Sequence, residues 1–164
     1  MIPTDVIGTL RINVDSPLAD QFPVVAQRNY SDTGDQQRFG QGILGFAAAE
    51  PNVRPGKPAI LPAVRNDQLY KSNVGLINVG TTDASIQLTL LDHSTGQPIG
   101  VFSVTLKPNE SRILPEALPN VFLQAADRGS IKVEDTNDGA VWAFAAIIDR
   151  ATSDPEYVPA IPLD

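Results

Sequence analysis

The chain has 164 residues and a formal net charge of −7. Hydrophobic residues make up 42% of it, enough for a packed core, which argues against disorder throughout. The acidic balance leaves no basic stripe for a nucleic-acid backbone, and no apolar run approaches the ~20 residues of a membrane-spanning helix. Because there is no cysteine, disulfide scaffolds, cysteine zinc sites and thiol nucleophiles are excluded.

Two segments of the chain have similar layouts. Residues 8–34 and 129–155 each contain a glycine, a short alternating run with one basic residue, an acidic turn, an apolar run and a polar tail. We therefore expect 8–34 to be the last hairpin of a unit whose earlier strands are absent. A lone hairpin is marginally stable. It would dock on its own chain or lend its edge to a neighbouring molecule.

A division of the chain follows from its loops. Residues 31–42 are polar and are predicted to form a loop, and 47–58, with three prolines, a connector. This predicts an N-terminal hairpin and connector over 1–58 and a sandwich module over 59–164.

The second part reads as a series of strands. Apolar residues alternate with polar ones along each segment, with the period of a half-buried strand. The predicted core positions are Leu10, Ile12, Val14, Val74, Leu76, Ile86, Leu88, Leu90, Phe102, Val104, Leu106, Ile131 and Val133. The run 140–148 is apolar on both faces and is predicted to be a central strand.

Turn signals connect these strands. Residues 92–98, with Gly96, predict a hairpin, and the Asn-Asp-Gly at 137–139 predicts another that joins 140–148 to the strand before it. A short helix fits only in 116–127. About seven strands predict an all-β fold, an immunoglobulin-like antiparallel β-sandwich with an additional N-terminal β-hairpin region.

The residues 71–78 (KSNVGLIN), and 145–155 (AAIIDRATSDP) followed by Val158-Pro159-Ala160, resemble repeat modules of large secreted or surface-exposed bacterial proteins. The resemblance covers roughly residues 60–162, with an echo at 8–45. It departs at Ser72, where threonine is expected, and at Ala146, where serine is expected. The resemblance implies an immunoglobulin-like, non-catalytic repeat outside the cytoplasm and implies no ligand.

Two acidic segments are candidates for metal binding. Asp149 and Asp154 could supply oxygens to calcium, but they fit equally the capping of backbone N–H groups by Asp149 and Thr152 at a strand end. The three carboxylates within 134–138 are predicted to form a turn. We expect no cofactor, with calcium at Asp149 and Asp154 as the alternative.

Aromatic residues are the candidates for ligand binding. Tyr70, Tyr157 and Trp142 could stack on a sugar, although Trp142 lies in the most apolar segment and is predicted to pack between the sheets. His93, the one histidine, lies in a hairpin loop, and no Gly-x-Ser-x-Gly motif accompanies it, so catalysis is not expected.

The sequence thus predicts a non-enzymatic, extracellular or cell-surface structural and interaction module that binds protein. It would assemble by strand pairing of its N-terminal hairpin, by self-association into an adhesive or filament component, or as part of a larger multi-module chain. A carbohydrate-binding module is the alternative. Nucleic-acid binding and membrane insertion are not expected. The start at Met1 lacks a signal-peptide pattern, so either a cytoplasmic protein or a piece of a longer one is expected from the residues alone.

Overall fold

The structure is a computed structural model that describes residues 12, 26–32, 38–45, 50–124 and 126–163. Its elements in chain order are β1 (Ala26–Asp32), β2 (Arg38–Leu44), β3 (Ala59–Arg65), β4 (Tyr70–Asn78), β5 (Ala84–Asp92), β6 (Pro98–Leu106), β7 (Ser111–Leu114), α1 (Ala117–Asn120), β8 (Arg128–Asp135), β9 (Val141–Asp149), β10 (Pro155–Pro159) and β11 (Ile161–Pro162). Within these ranges the one helix, α1, has four residues, far fewer than the ~20 that a membrane-spanning helix needs.

The strands from β3 onward form two antiparallel sheets. One has four strands in the order β10-β9-β4-β7, and the other has five in the order β11-β3-β8-β5-β6. Buried side chains from both sheets belong to one hydrophobic core. The predicted fold class, an all-β antiparallel sandwich, is confirmed.

The core follows the predicted alternation, because successive side chains of a strand point to opposite faces. Of the predicted core positions, Val74, Leu76, Ile86, Leu88, Leu90, Val104, Leu106, Ile131 and Val133 are buried, and Phe102 is partly buried against them. The predicted hairpin over 92–98 is confirmed as the β5–β6 connection, in which Gly96 has a φ of 69°. The predicted short helix is α1.

The connection between β8 and β9 differs from the prediction. These strands lie in different sheets, so they do not form a hairpin. Asn137 ties the turn to β5 instead: its side chain accepts from the Ser85 N–H (2.8 Å) and donates to the Asp83 carbonyl (2.8 Å). The Asn-Asp-Gly segment correctly marks a reversal, but a turn signal does not specify which sheet the next strand joins. β9 lies between β10 and β4, so its central position is confirmed.

The N-terminal region also requires a correction. Residues 31–42 are not a loop, because β1 and β2 pair antiparallel from Ala26↔Leu44 to Asp32↔Arg38. Only 33–37 separate the two strands. Four of the seven residues of β2 are Arg, Gly or Gln, which hides the alternation of a strand. β2 approaches β10 of the same chain. The predicted strand at Leu10, Ile12 and Val14 lies outside the described residues, except for Ile12, which is half-exposed.

The connector before β3 is anchored in the sandwich. Val53 is fully buried and forms an isolated bridge with Val141. Asn52 is buried beside it, and its side chain donates to the carbonyls of Ala143 (2.9 Å) and Ala160 (3.0 Å) and accepts from the Ala143 N–H (2.8 Å). This amide therefore joins three separate segments of backbone, a role that the sequence does not indicate.

Candidate interaction surface

The turn between β9 and β10 contains both residues that the sequence singles out for a metal. Asp149 Oδ1 accepts from the N–H groups of Ala151 (2.8 Å) and Thr152 (2.9 Å), and Thr152 Oγ1 accepts from the Asp154 N–H (3.2 Å). The hydrogen bonds from the Thr152 and Ala151 backbone lower the pKa of Asp149. The capping interpretation is confirmed for Asp149 and Thr152.

A metal would need further ligands at this turn. Among the residues that the structure describes, no three or more His, Asp or Glu side chains are grouped closely enough to hold an ion. Asp154 is exposed, and it lines an open depression together with Tyr70, Asp149 and Glu156.

The three aromatic candidates do not share one surface. Trp142 is opposite Ile77 in the β9–β4 pair, and Tyr157 is opposite Ala146 in the β10–β9 pair. In β9 the buried residues Val141, Ala143 and Ala145 face the core, so the residues that alternate with them, Trp142 and Ala146 among them, lie on the outer face. Tyr157, opposite Ala146, lies on the same outer face. The prediction that Trp142 packs between the sheets is therefore wrong.

Tyr70 belongs to the other face of the same sheet. It is the first residue of β4 and has the inward parity of the buried Ser72 and Val74. The guanidinium of Arg65 lies 4.0 Å from its ring centroid. Tyr70 thus stacks on a cation at the end of the sandwich and cannot form a platform with Trp142 and Tyr157.

The outer face has its own aromatic packing. The rings of Phe144 and Tyr157 are 5.2 Å apart and inclined by 37°, so they do not present a coplanar pair. Burial raises the pKa of the Tyr157 phenol. Tyr157 is therefore a packing residue here more than a displayed one.

The β3–β4 tip next to Tyr70 is an ionic cluster. Asp67 accepts two hydrogen bonds from Arg65 (2.6 and 3.0 Å) and one each from the N–H groups of Leu69 and Tyr70 (both 2.9 Å). Desolvation opposes ionisation, but these hydrogen bonds outweigh it and lower the pKa of Asp67. Arg150 donates to the Asp67 carbonyl (3.0 Å) and to Asn66 Oδ1 (2.8 Å). The charges of this tip hold loops together.

The carboxylates of the acidic segment 134–138 also make local contacts. Glu134 pairs with Lys132 (2.8 Å), and Asp135 Oδ1 accepts from the Asn137 N–H (3.2 Å). The predicted turn is confirmed only for 136–138, because Glu134 and Asp135 are the last residues of β8. His93 is exposed in the β5–β6 turn, as its loop position predicts.

The sheet edges differ in how well they are protected. Natural proteins shorten an exposed edge strand or give it charges and prolines, because its unpaired N–H and C=O groups are a template for another chain. β7 has four residues including Arg112, β10 has prolines at both ends, and β11 has two residues, one of them proline.

β6 has little of this protection. It is nine residues long, carries no charge and has proline only at its first position. It pairs with β5 on one side, and no other strand in the described ranges pairs with it. Its outward side chains Val101, Ser103 and Thr105 are all exposed, Val101 to 59%. A β-bulge between Leu90 and Leu91 disturbs the start of β6, which leaves Gly100–Leu106 as its regular part.

The outward surface beside this edge is also uncharged. Ser85, Gln87 and Thr89 of β5 stand opposite Thr105, Ser103 and Val101. Lys132 and Glu134 lie one strand farther from the edge, on β8, and they form an ion pair with each other. On a chain with a net charge of −7, this edge is a neutral strip. An extended polypeptide could add to it through backbone hydrogen bonds.

Comparisons with known proteins extend the fold description. No protein-family model matches the chain, and no curated protein matches its sequence. The crystal structure of Thermotoga maritima 1070 is similar, with a TM-score of 0.51 and 18% identity over 68% of this chain and 93% of that one. At this identity the similarity concerns the fold alone.

Proposed function

We propose that this chain is a non-catalytic structural and interaction module that joins another polypeptide through the free edge of β6. The observation that carries the proposal is a nine-residue, uncharged strand that has a partner on one side, in a sandwich whose other edges are short or carry proline or charge. An added strand would form backbone hydrogen bonds with every second residue of β6, whose N–H and C=O groups point away from β5, and it would need no pocket.

The polar loops support this choice over an enzyme. Backbone N–H groups donate hydrogen bonds to side-chain oxygens of Asp67, Asp149 and Asn137. Asp67 also accepts from Arg65. A catalytic site needs titratable groups that converge on a space from which water is excluded. Two depressions in the described region, one at the β3–β4 tip and one at the β9–β10 turn, are open to solvent.

The setting belongs to the same proposal. The resemblance to modules of secreted and surface-exposed bacterial proteins favours a position outside the cytoplasm, in a cell-surface, adhesive or filamentous component. The hairpin β1–β2 is a second element with edges that no described strand extends. It supports the idea that strands are exchanged between such modules.

Hydrogen exchange with a strand-like probe tests the function. The probe is a nine-residue peptide with the sequence of β6, PIGVFSVTL, added to the intact chain. In the chain without peptide, at a concentration low enough that it is a single copy, those amides of Gly100–Leu106 that point away from β5 should exchange rapidly. A bound strand would accept hydrogen bonds from them and slow their exchange by at least about tenfold at saturation.

The control peptide carries Ser103→Pro, which removes an N–H and cannot extend a ladder. Protection by the first peptide and not by the second would support edge binding. The absence of protection with either peptide at about millimolar concentration would exclude a binding free energy stronger than about −4 kcal/mol. That result would contradict the proposed function.

A further inference from the structure

We infer that the partner of β6 is β6 of a second copy, paired antiparallel about a two-fold axis that passes through Ser103. This inference rests on the proposed function and names the polypeptide that the edge takes. It joins two five-stranded sheets into one continuous ten-stranded sheet. The interface is isologous, so it closes at a dimer.

The regular part of the strand fixes the position of the axis. The bulge disturbs Ile99, so the undistorted ladder runs from Gly100 to Leu106. Antiparallel pairing of these seven residues with themselves, end to end, places Ser103 opposite Ser103 of the second copy. A shift in either direction would leave regular residues unpaired or bring the bulge into the ladder.

In this register the outward side chains form favourable pairs. Val101 lies opposite Thr105 of the second copy on both sides of the axis, and the two Ser103 hydroxyls meet on it. β-branched pairs and hydroxyl pairs are among the cross-strand neighbours that stabilise a sheet.

The inward side chains are also complementary. Phe102 lies opposite Val104, an aromatic residue against a β-branched one. Gly100, which has no side chain, lies opposite Leu106, the large aliphatic residue that ends the strand. Phe122 already packs against Gly100 from within the same chain, so a large residue at position 100 would not fit.

Electrostatics explain why two acidic chains would meet at this edge. Each chain carries −7 overall, and like charges placed opposite each other destabilise a strand pair. Neither β6 nor the outward residues Ser85, Gln87 and Thr89 of β5 carry a charge. At this edge two copies can approach without opposing carboxylates.

The absence of native cysteine makes a direct geometric test simple. In the variant Ser103→Cys, the new thiol would lie beside the same thiol of the second copy, at the two-fold axis. A short bismaleimide cross-linker should convert most of the dilute protein into a covalent dimer. Thr81→Cys, which places an exposed thiol in the β4–β5 loop, is the matched control and should cross-link at least about tenfold more slowly, because only chance collisions bring such thiols together.

Paired charges test the register. Val101→Glu/Thr105→Glu places four carboxylates in two opposed pairs across the axis and should weaken dimerisation at least about tenfold. Val101→Lys/Thr105→Glu differs by one side chain but places each lysine opposite a glutamate of the second copy. It should dimerise at least about as tightly as the wild type in sedimentation experiments. Far-ultraviolet circular dichroism checks that both variants are folded.

Three results would overturn the inference, and they separate it from the proposed function. If the chain stays a single copy while the β6 peptide protects its edge, β6 binds another strand and the self-pairing is wrong. An open-ended series of larger species would indicate head-to-tail strand exchange in place of the two-fold pair. If a dimer forms that Val101→Glu/Thr105→Glu does not weaken, the dimer uses another surface. If peptide protection is also absent, both proposals fail.

Discussion

The ring of Phe144 lies directly over Gly75, the residue opposite it in the neighbouring strand β4. A Cβ atom at position 75 would overlap the ring. Gly75 does not have a positive φ, so the glycine is not needed here for an unusual backbone angle. It makes room for an aromatic side chain to lie flat on the outer face of the four-stranded sheet, where the ring also contacts Tyr157.

Replacement of this glycine should be costly only while the ring is present. We expect Gly75→Ala to lower the free energy of unfolding by about 1–3 kcal/mol, as for other overpacked sites, because Phe144 must leave its place and lose its contact with Tyr157. Chemical denaturation of the variant measures this loss.

The Phe144→Ala background provides the control. Without the ring, Gly75→Ala should be neutral or slightly stabilising, because alanine loses less conformational entropy than glycine in a strand. An equal loss in both backgrounds would show that the ring is not the reason for the glycine. The double-mutant cycle isolates this pair.

Much of the fold was predictable because strand alternation is a local property. The spacing of Ile86, Leu88 and Leu90 identifies an inward face without reference to any other strand. The partner of a strand is a non-local property. For this reason the sequence identifies β8 and β9 as strands, but it does not show that they lie in different sheets.

The candidate surface was harder to predict for the same reason. β5 and β6 have similar alternating patterns, yet β5 lies between two strands and β6 lies at the edge. The free edge of β6 is thus a property of the sheet order and not of its own residues. The absence of charge along the strand was a visible signal, but it becomes informative only when the strand order is known.

Asn52 was also missed, because it lies in a segment rich in proline that reads as a connector. We expect Asn52→Ala to lower the free energy of unfolding by about 2–4 kcal/mol, since it leaves the buried N–H and C=O of Ala143 and the C=O of Ala160 without this partner. Thermal or chemical unfolding measures the change.

The control is Asn120→Ala, which removes a single exposed hydrogen bond to the Pro115 carbonyl and should lower the free energy of unfolding by less than about 1 kcal/mol. Similar losses in the two variants would contradict the anchoring role of Asn52.

Chelation should have little effect on stability. EDTA is expected to change the melting temperature by no more than about 2 °C, because an ion stabilises only if it binds the native state. Asp149 Oδ1 already accepts two backbone N–H groups, and no cluster of three His, Asp or Glu side chains lies in the described part of the chain. Differential scanning fluorimetry with and without added Ca²⁺ checks this expectation. A large fall with EDTA that Ca²⁺ reverses would instead favour calcium at Asp149 and Asp154.

Acid should weaken the β5–β6 turn through Asp92. Hydrogen bonds from the Ser94 and Thr95 hydroxyls, together with their backbone N–H groups, lower the pKa of Asp92 from 3.8 to about 2. A carboxyl whose pKa is lower in the folded state stabilises the fold above its unfolded pKa of 3.8, and this contribution is lost as pH falls through about 2.

We expect the difference in melting temperature between the wild type and Asp92→Asn to be constant above about pH 5 and to shrink between about pH 4 and 2. A difference that stays constant over this range would show that ionised Asp92 does not stabilise the turn. An NMR titration of the Asp92 carboxyl carbon gives an independent measure. Asp154→Asn in the exposed β9–β10 turn controls for the loss of one negative charge.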